Sequence, residues 1–221
     1  MNPYLLFEFS DQDGAQNQKV FTEPKQVITA KKIEEVNTAF HLAEKALGEG
    51  YYVAGYVSYE AAPAFDSALR VSSEVEWPLI WFGVFEGPKP YEEPGKFGSY
   101  EVSDWKADGD FLHYDEGIRK IKQAIEQGNT YQVNYTTRLT STFSGEDFAF
   151  YRQLADNQKS SYSAYLNMGN YRILSASPEL FFRIDGNTIT TKPMKGTAKR
   201  GRWTAEDEAQ KQHLYSSEKE R

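Results

Sequence analysis

Pro78-Leu79-Ile80-Trp81-Phe82-Gly83-Val84-Phe85 is a nearly continuous apolar run, and no other stretch restricts the fold as tightly. Strict alternation marks a strand with one wet face, whereas an unbroken run such as this suggests a strand buried on both faces. A chain of 221 residues, 39% hydrophobic and 15% aromatic, can build the core that such a strand needs. Its composition is not that of a disordered segment. The length fits one large domain or two small ones.

The rest of the chain mixes strands with helices, which predicts an α+β fold. Residues 4–9 and 18–22 read as short strands about a polar turn from Asp11 to Asn17. Ile33, Val36, Phe40, Ala43 and Leu47 recur at three- and four-residue steps and predict a helix that Gly48 and Gly50 stop. A strand is expected over 51–60, followed by an Ala/Pro-rich loop to Asp66. Glu60 and Asp66 are candidate site acids, although a glutamate at a strand end commonly does no more than satisfy a loop. Residues 87–110, with Pro88, Pro90 and Pro94, form a loop-rich connection with one edge strand at Ser99 to Trp105. A second helix is predicted from Asp115 as N-cap to Gln127, with Gly128 just past its end. Ser144-Gly145-Glu146-Asp147 opens a third, whose inward face carries Phe148, Tyr151, Leu154 and Ala155. Strands follow at 162–167 and 171–176, joined by Met168-Gly169-Asn170. A very polar helix begins near Thr204, with little apolar stripe beyond Ala209 and Leu214.

Two stretches carry candidate chemistry. Over 131–139 the residues alternate: Tyr131, Val133, Tyr135 and Leu139 on one side, Gln132, Asn134, Thr136 and Arg138 on the other. This is either an antiparallel strand with a wet outer face or a row of hydrogen-bonding groups lining a polar cleft. The second stretch is Thr190-Thr191-Lys192-Pro193-Met194-Lys195-Gly196-Thr197. It follows a hairpin formed by 180–184 and 188–191 about Asp185-Gly186-Asn187, an Asp-Gly turn between β-prone runs. Pro193 lacks a ladder donor and ends the second strand, and Gly196 permits a backbone turn that other residues resist. A lysine at such a strand end acts as a nucleophile if desolvation or a nearby cation lowers its pKa; Lys192, Lys199 and Arg200 are candidates for that cation. The plainer reading is an exposed lysine on a solvated turn. Glu179, beside aromatic strands, is either a general acid raised by burial or a surface glutamate.

A net charge of −7 argues against a nucleic-acid partner, while a small anionic substrate remains compatible with the local cluster Ala198-Lys199-Arg200-Gly201-Arg202. There is no cysteine, hence no disulfide and no cysteine-bound zinc. The first eight residues lack the basic flank and apolar run of a signal peptide, and no stretch reaches membrane-spanning length. The expectation is a soluble cytoplasmic protein.

Three separated segments together resemble one family: 128–138 (Gly-Asn-Thr-Tyr-Gln-Val-Asn-Tyr-Thr-Thr-Arg), 175–181 (Ser-Ala-Ser-Pro-Glu-Leu-Phe) and 191–201 (Thr-Lys-Pro-Met-Lys-Gly-Thr-Ala-Lys-Arg-Gly). Their order and spacing are similar to those of the chorismate-utilising enzymes, which include anthranilate synthase component I, aminodeoxychorismate synthase component I, and the isochorismate and salicylate synthases. The segment from Gly55 to Asp66 looks like the N-terminal region of aminodeoxychorismate synthases. The resemblance implies part of a layered β/α sandwich with mixed or antiparallel sheets and helices packed outside. It reads the chain as the N-terminal part of a single chorismate-binding domain. In that reading 1–86 form a sheet and helix region, 87–110 a connection, and 111–221 the start of the core.

The resemblance also implies roles. Isochorismate-forming members carry a lysine base at the position of Gln132; glutamine there implies ammonia as the nucleophile. Lys195 stands where anthranilate synthases usually carry alanine, and a lysine there implies covalent addition to the chorismate ring and amination at C4. Glu179 matches the glutamate that protonates the departing C4 hydroxyl, and Gly196 and Thr197 match substrate-contacting positions. Magnesium and ammonia from a glutamine amidotransferase subunit are the implied cofactor and partner. The magnesium ligands are expected in a C-terminal half that relatives possess beyond the point matching Arg221. Ortho amination, as in anthranilate synthase component I, is the alternative activity. A catalytically inactive fragment that only binds a partner is the alternative of another class.

Overall fold

A computed structural model of the chain describes residues 2–10, 15–73, 75–93, 95–194 and 196–218. In chain order its first elements are β1 (Tyr4–Ser10), β2 (Gln16–Thr22), β3 (Gln26–Ala30), α1 (Ile33–Gly48), β4 (Tyr52–Val57), a 3-10 helix (Tyr59–Ala64) and β5 (Ile80–Phe85). Then come β6 (Tyr100–Val102), β7 (Lys106–Ala107), α2 (Phe111–Glu126), β8 (Leu139–Thr140), β9 (Phe143–Gly145) and α3 (Asp147–Gln158). The last are β10 (Tyr162–Asn167), β11 (Arg172–Ser177), the hairpin β12 (Leu180–Asp185) and β13 (Thr188–Lys192), and α4 (Thr204–Ser216). All the pairings are antiparallel, and the fold is α+β as expected. The chain divides into two compact units: residues up to Glu93 together with those from Tyr151 on, and the stretch between them, which ends at Phe150.

In the first unit β5 is the central strand of the sheet β3-β5-β4, and its apolar run is explained by what covers it. Ile80 and Val84, with Phe82 beside them, pack with Ile28 and Ala30 of β3 and with Val36, Ala39, Ala43 and Ala46 of α1. Trp81 and Phe85 point the other way and join Leu5, Phe21, Ala164 and Leu166 of a second sheet, ordered β11-β10-β1-β2. Full burial of a side chain of this size stabilises by roughly 1.5–3 kcal/mol. The two faces of β5 therefore tie a helix, a sheet and a second sheet into one stack. The buried stripe of α1 runs through its alanines, which let the helix lie close to the sheet, and Leu47 is left exposed although it fits the predicted period.

The outer face of the second sheet carries a buried charge. Glu8 of β1 is 6% exposed. Its carboxylate accepts hydrogen bonds from the Tyr151 hydroxyl, from Nη1 of Arg152 (2.9 Å to Oε1) and from Nε2 of Gln18 (2.6 Å). A charge removed from water persists only when it is paired and hydrogen-bonded. Gln18 lies opposite Glu8 in the β1–β2 ladder, and the other two donors come from α3, so this carboxylate ties α3 to β1.

The second unit differs from expectation in four places. Its strands are short: β6 pairs with β9 and β7 with β8, and the rings of Tyr100, Phe143 and Phe150 gather against one another. Helix α2 starts one turn earlier than predicted, because Asp110 is the N-cap and its Oδ1 accepts the His113 N–H at 2.9 Å. The first turn holds Phe111 and Leu112, both exposed, and Phe111 and Tyr114 continue the three- and four-residue period of Ile118, Ile121 and Ile125. Asp115 instead pairs with Arg119 one turn on. Ser144 belongs to β9, and α3 begins at Asp147. The strand expected over 131–139 is formed only at Leu139 and Thr140. Alternation sorts side chains between two faces, but a strand also needs a neighbour for its backbone hydrogen bonds. Among the described residues only β7 supplies one.

In the first unit the strand expected over 51–60 ends at Val57, and Glu60 lies in the 3-10 helix that follows. Strand β3 has no counterpart in the sequence reading. Among the described residues the hairpin β12–β13 pairs only within itself, and it exposes Phe181, Phe182, Ile184 and Ile189. No described helix is long and apolar enough to cross a membrane.

Two outcomes are expected. Glu8→Ala, which removes the acceptor shared by Tyr151, Arg152 and Gln18, lowers unfolding free energy by roughly 3–5 kcal/mol, and Glu8→Gln by less, as read from urea unfolding. Burial, aided by nearby Tyr171, pushes the Tyr56 hydroxyl up to about 12, and burial likewise takes Tyr91 to about 12, from an ordinary value of 10.0. The unfolded chain thus releases these protons before the native one does. Stability is fully present below pH 10.0 and is lost as pH rises towards about 12. Replacing both tyrosines by phenylalanine flattens the fall in urea midpoint over that window.

Candidate active site

The hairpin β12–β13 is what carries the predicted site. Asp185 pairs with Thr188 across a two-residue turn in which Gly186 has φ +59°, and the register shifts between Leu180 and Arg183. The second strand stops at Lys192, and Pro193 follows it, as the missing N–H of proline requires. Lys195 lies outside the described residues. Its neighbour Gly196 has φ +52°, a left-handed conformation that side chains disfavour, so the chain turns here. Thr197 is exposed.

Glu179 stands at the entry to the hairpin, held by a small turn in which its N–H donates to Ser177 Oγ at 3.2 Å. Its own carboxylate reaches across the hairpin, and Oε1 accepts the Met194 N–H at 3.3 Å. An acid fifteen residues away in sequence is thereby brought to the residue next to Lys195. Glu179 is exposed among the described residues.

Gln132 belongs to the second unit. It is exposed, and its Nε2 lies 3.5 Å from Asn134 Oδ1. The polar side of 131–138 contributes Thr136, but not Gln132, Asn134 or Arg138, to a cleft of about 330 Å³ shared with Asp108, Asp110 and His113. The other two candidate acids separate as well. Asp66 is spent on its own turn, accepting the Ala68 N–H at 2.8 Å, while Glu60 lines a cleft of about 610 Å³ with Tyr59, Trp77 and Tyr171.

Beyond Gly196 the basic turn is tied down by groups that the sequence reading treated only as polar surface. Asp207 of α4 takes two hydrogen bonds from the Arg200 guanidinium, both 2.7 Å, and a third from the Gly201 N–H at 2.8 Å. Glu206 accepts the Arg202 N–H at 2.7 Å and Nε at 3.1 Å. Arg200 beside it holds the Asp207 carboxyl below its ordinary range, with the Gly201 N–H helping, and Arg202 does the same for Glu206. The four-residue step from Arg202 to Glu206 was a visible signal; the seven-residue step from Arg200 to Asp207 was not. Of the cations suggested for activating Lys195, Arg200 is therefore engaged by a carboxylate. No group of three or more His, Asp or Glu side chains among the described residues is arranged to hold a metal ion.

Residues 3–221 match the chorismate binding enzyme family. Among curated relatives, anthranilate synthase component 1 of Lactococcus lactis is 36% identical over 107 residues, 48% of this chain and 24% of that protein. Aminodeoxychorismate synthase component 1 of Escherichia coli is 35% identical over 120 residues, covering 54% and 26%. Anthranilate synthase component 1 of Thermus thermophilus is 34% identical over 152 residues, covering 68% and 32%. The chain thus spans between 24% and 32% of the length of these three relatives. A match that runs through the layered first unit, the 131–138 segment and the hairpin loop alike leaves one conclusion: the chain belongs to the chorismate-binding enzymes.

Proposed function

We propose that this chain is part of an enzyme that aminates chorismate at C4, giving 4-amino-4-deoxychorismate, with Lys195 as nucleophile and Glu179 as general acid. The observation that carries this reading is the 3.3 Å hydrogen bond from Met194 N–H to Glu179 Oε1, which joins the acid to the loop of the lysine. The neutral Lys195 amine forms a bond to C2, the ring double bond shifts, and the C4 hydroxyl departs as water with a proton from Glu179. Ammonia then bonds to C4, the double bond shifts back, and the lysine leaves C2 with its electron pair. Two allylic displacements replace one difficult substitution and put nitrogen para to the ring carboxylate. Gly196 and Thr197 contact the substrate through backbone N–H and hydroxyl. Gln132, which cannot act as a base, leaves the attack to ammonia rather than water. A glutamine amidotransferase supplies the ammonia, as a name such as component 1 among the relatives suggests.

The competing activity is ortho amination by direct attack of ammonia at C2, favoured by the similar identity to anthranilate synthases. The two differ in their dependence on Lys195. In the protein expressed from its own reading frame, Lys195→Ala is expected to lose para amination by at least roughly a hundredfold, the scale of losing an activated nucleophile. Residual product should move towards the ortho isomer. Chorismate without ammonia should leave a mass adduct on Lys195 and on no other lysine, and Glu179→Gln should slow its formation. Unchanged rate and product in Lys195→Ala, with no adduct in the parent protein, would refute the assignment.

A further inference from the structure

We infer that the cleft of about 610 Å³ beside the 3-10 helix is a binding site for a small organic cation bearing an ammonium group. This goes beyond the amination reading and does not rest on it. The cleft lies wholly within the first unit. It is built by the end of β4, the start of the 3-10 helix, residues 76–77 and the turn that leads from β10 into β11. A volume of this size takes a small molecule, and small-molecule sites combine an apolar and aromatic lining with a few placed charges.

Trp77 is held in place and yet left open. The carbonyl before it, of Glu76, accepts the Tyr171 hydroxyl at 2.9 Å, and the carbonyl after it, of Pro78, accepts the Tyr56 hydroxyl at 2.9 Å. The main chain is thus fixed on both sides of an indole that remains 52% exposed. Tyr59, 81% exposed, lines the same cleft. Large rings gain free energy on burial, so rings kept in the open on a tethered main chain are pre-organised to cover a ligand.

The charges among these rings select the sign of the ligand. Glu60 and Glu76 line the cleft, and among the described residues neither carboxylate forms an ion pair or accepts a hydrogen bond. The lining's own cation, Arg172, turns its Nη1 to the carbonyl oxygens of Gly169 and Tyr171. Two acids against one arginine leave one negative charge in excess, which a single monocation balances. The face of an aromatic ring attracts a cation through its negative quadrupole, most strongly for indole, and desolvation strengthens that attraction. The same rings and acids disfavour an anion.

The test titrates the protein expressed from its own reading frame with choline and, in parallel, with 3,3-dimethyl-1-butanol, which has the same shape and no charge. Affinity is read by calorimetry and the place of binding from the indole N–H signals in NMR spectra. Choline is expected to bind saturably and to shift the indole signal that disappears in Trp77→Phe. The neutral probe should bind at least roughly threefold more weakly, the scale of a cation held against an aromatic face. Trp77→Leu should lose choline affinity by a similar factor, and so should Glu60→Gln combined with Glu76→Gln, all with the thermal midpoint of the parent. Equal affinity for the two probes would overturn the site, as would a shift confined to other indoles or the absence of saturable binding. Parental choline affinity in Trp77→Leu or in the double glutamine variant would overturn it too.

Discussion

Everything in the first unit depends on burying both faces of β5. An antiparallel strand with one wet face needs a single partner layer, but Ile80–Phe85 offers apolar side chains in both directions and needs two. The small residues of α1 cover Ile80 and Val84, and the β11-β10-β1-β2 sheet covers Trp81 and Phe85. Because the same strand serves both cores, the two cannot be loosened separately. The hairpin that leads to the candidate site follows directly from β11, the last strand of that second sheet, so its starting point is set by the stack.

Two sets of carboxylate contacts in this chain work under opposite conditions. Glu8 is buried, and its contacts with Tyr151, Arg152 and Gln18 lie where water competes little and where an unmatched charge is costly. The Asp207 and Glu206 contacts are at the surface, where an isolated ion pair is worth little. Their significance is geometric: each carboxylate holds a backbone N–H as well as a guanidinium, so it defines the course of the chain after Gly196. The first network belongs to stability and the second to the arrangement of a loop.

The site was legible in the sequence to the extent that it depends on short-range chemistry. The Asp-Gly turn, the halt at Pro193 and the turn at Gly196 follow from what those residues permit in their own backbones. The hydrogen bond between Glu179 and Met194 and the grip of Asp207 on Arg200 and Gly201 were not legible. They span fifteen and six to seven residues and exist only because the hairpin folds back and α4 turns its first acids towards the loop.

Sequence alone determined the elements that rest on local pattern. They are the α1 helix with its apolar period, the buried β5 run, the β12–β13 hairpin, the polar α4 helix and the family to which the three motif segments belong. Tertiary structure decided what local pattern leaves open. Residues 131–138 alternate as a strand does, yet they take no ladder, because alternation chooses faces and cannot create a neighbour. Likewise Glu8, an ordinary acid in a β-strand, became the buried centre of a network once α3 laid Tyr151 and Arg152 over it. Local preference is written residue by residue, whereas partners are supplied only when distant parts of the chain are brought together.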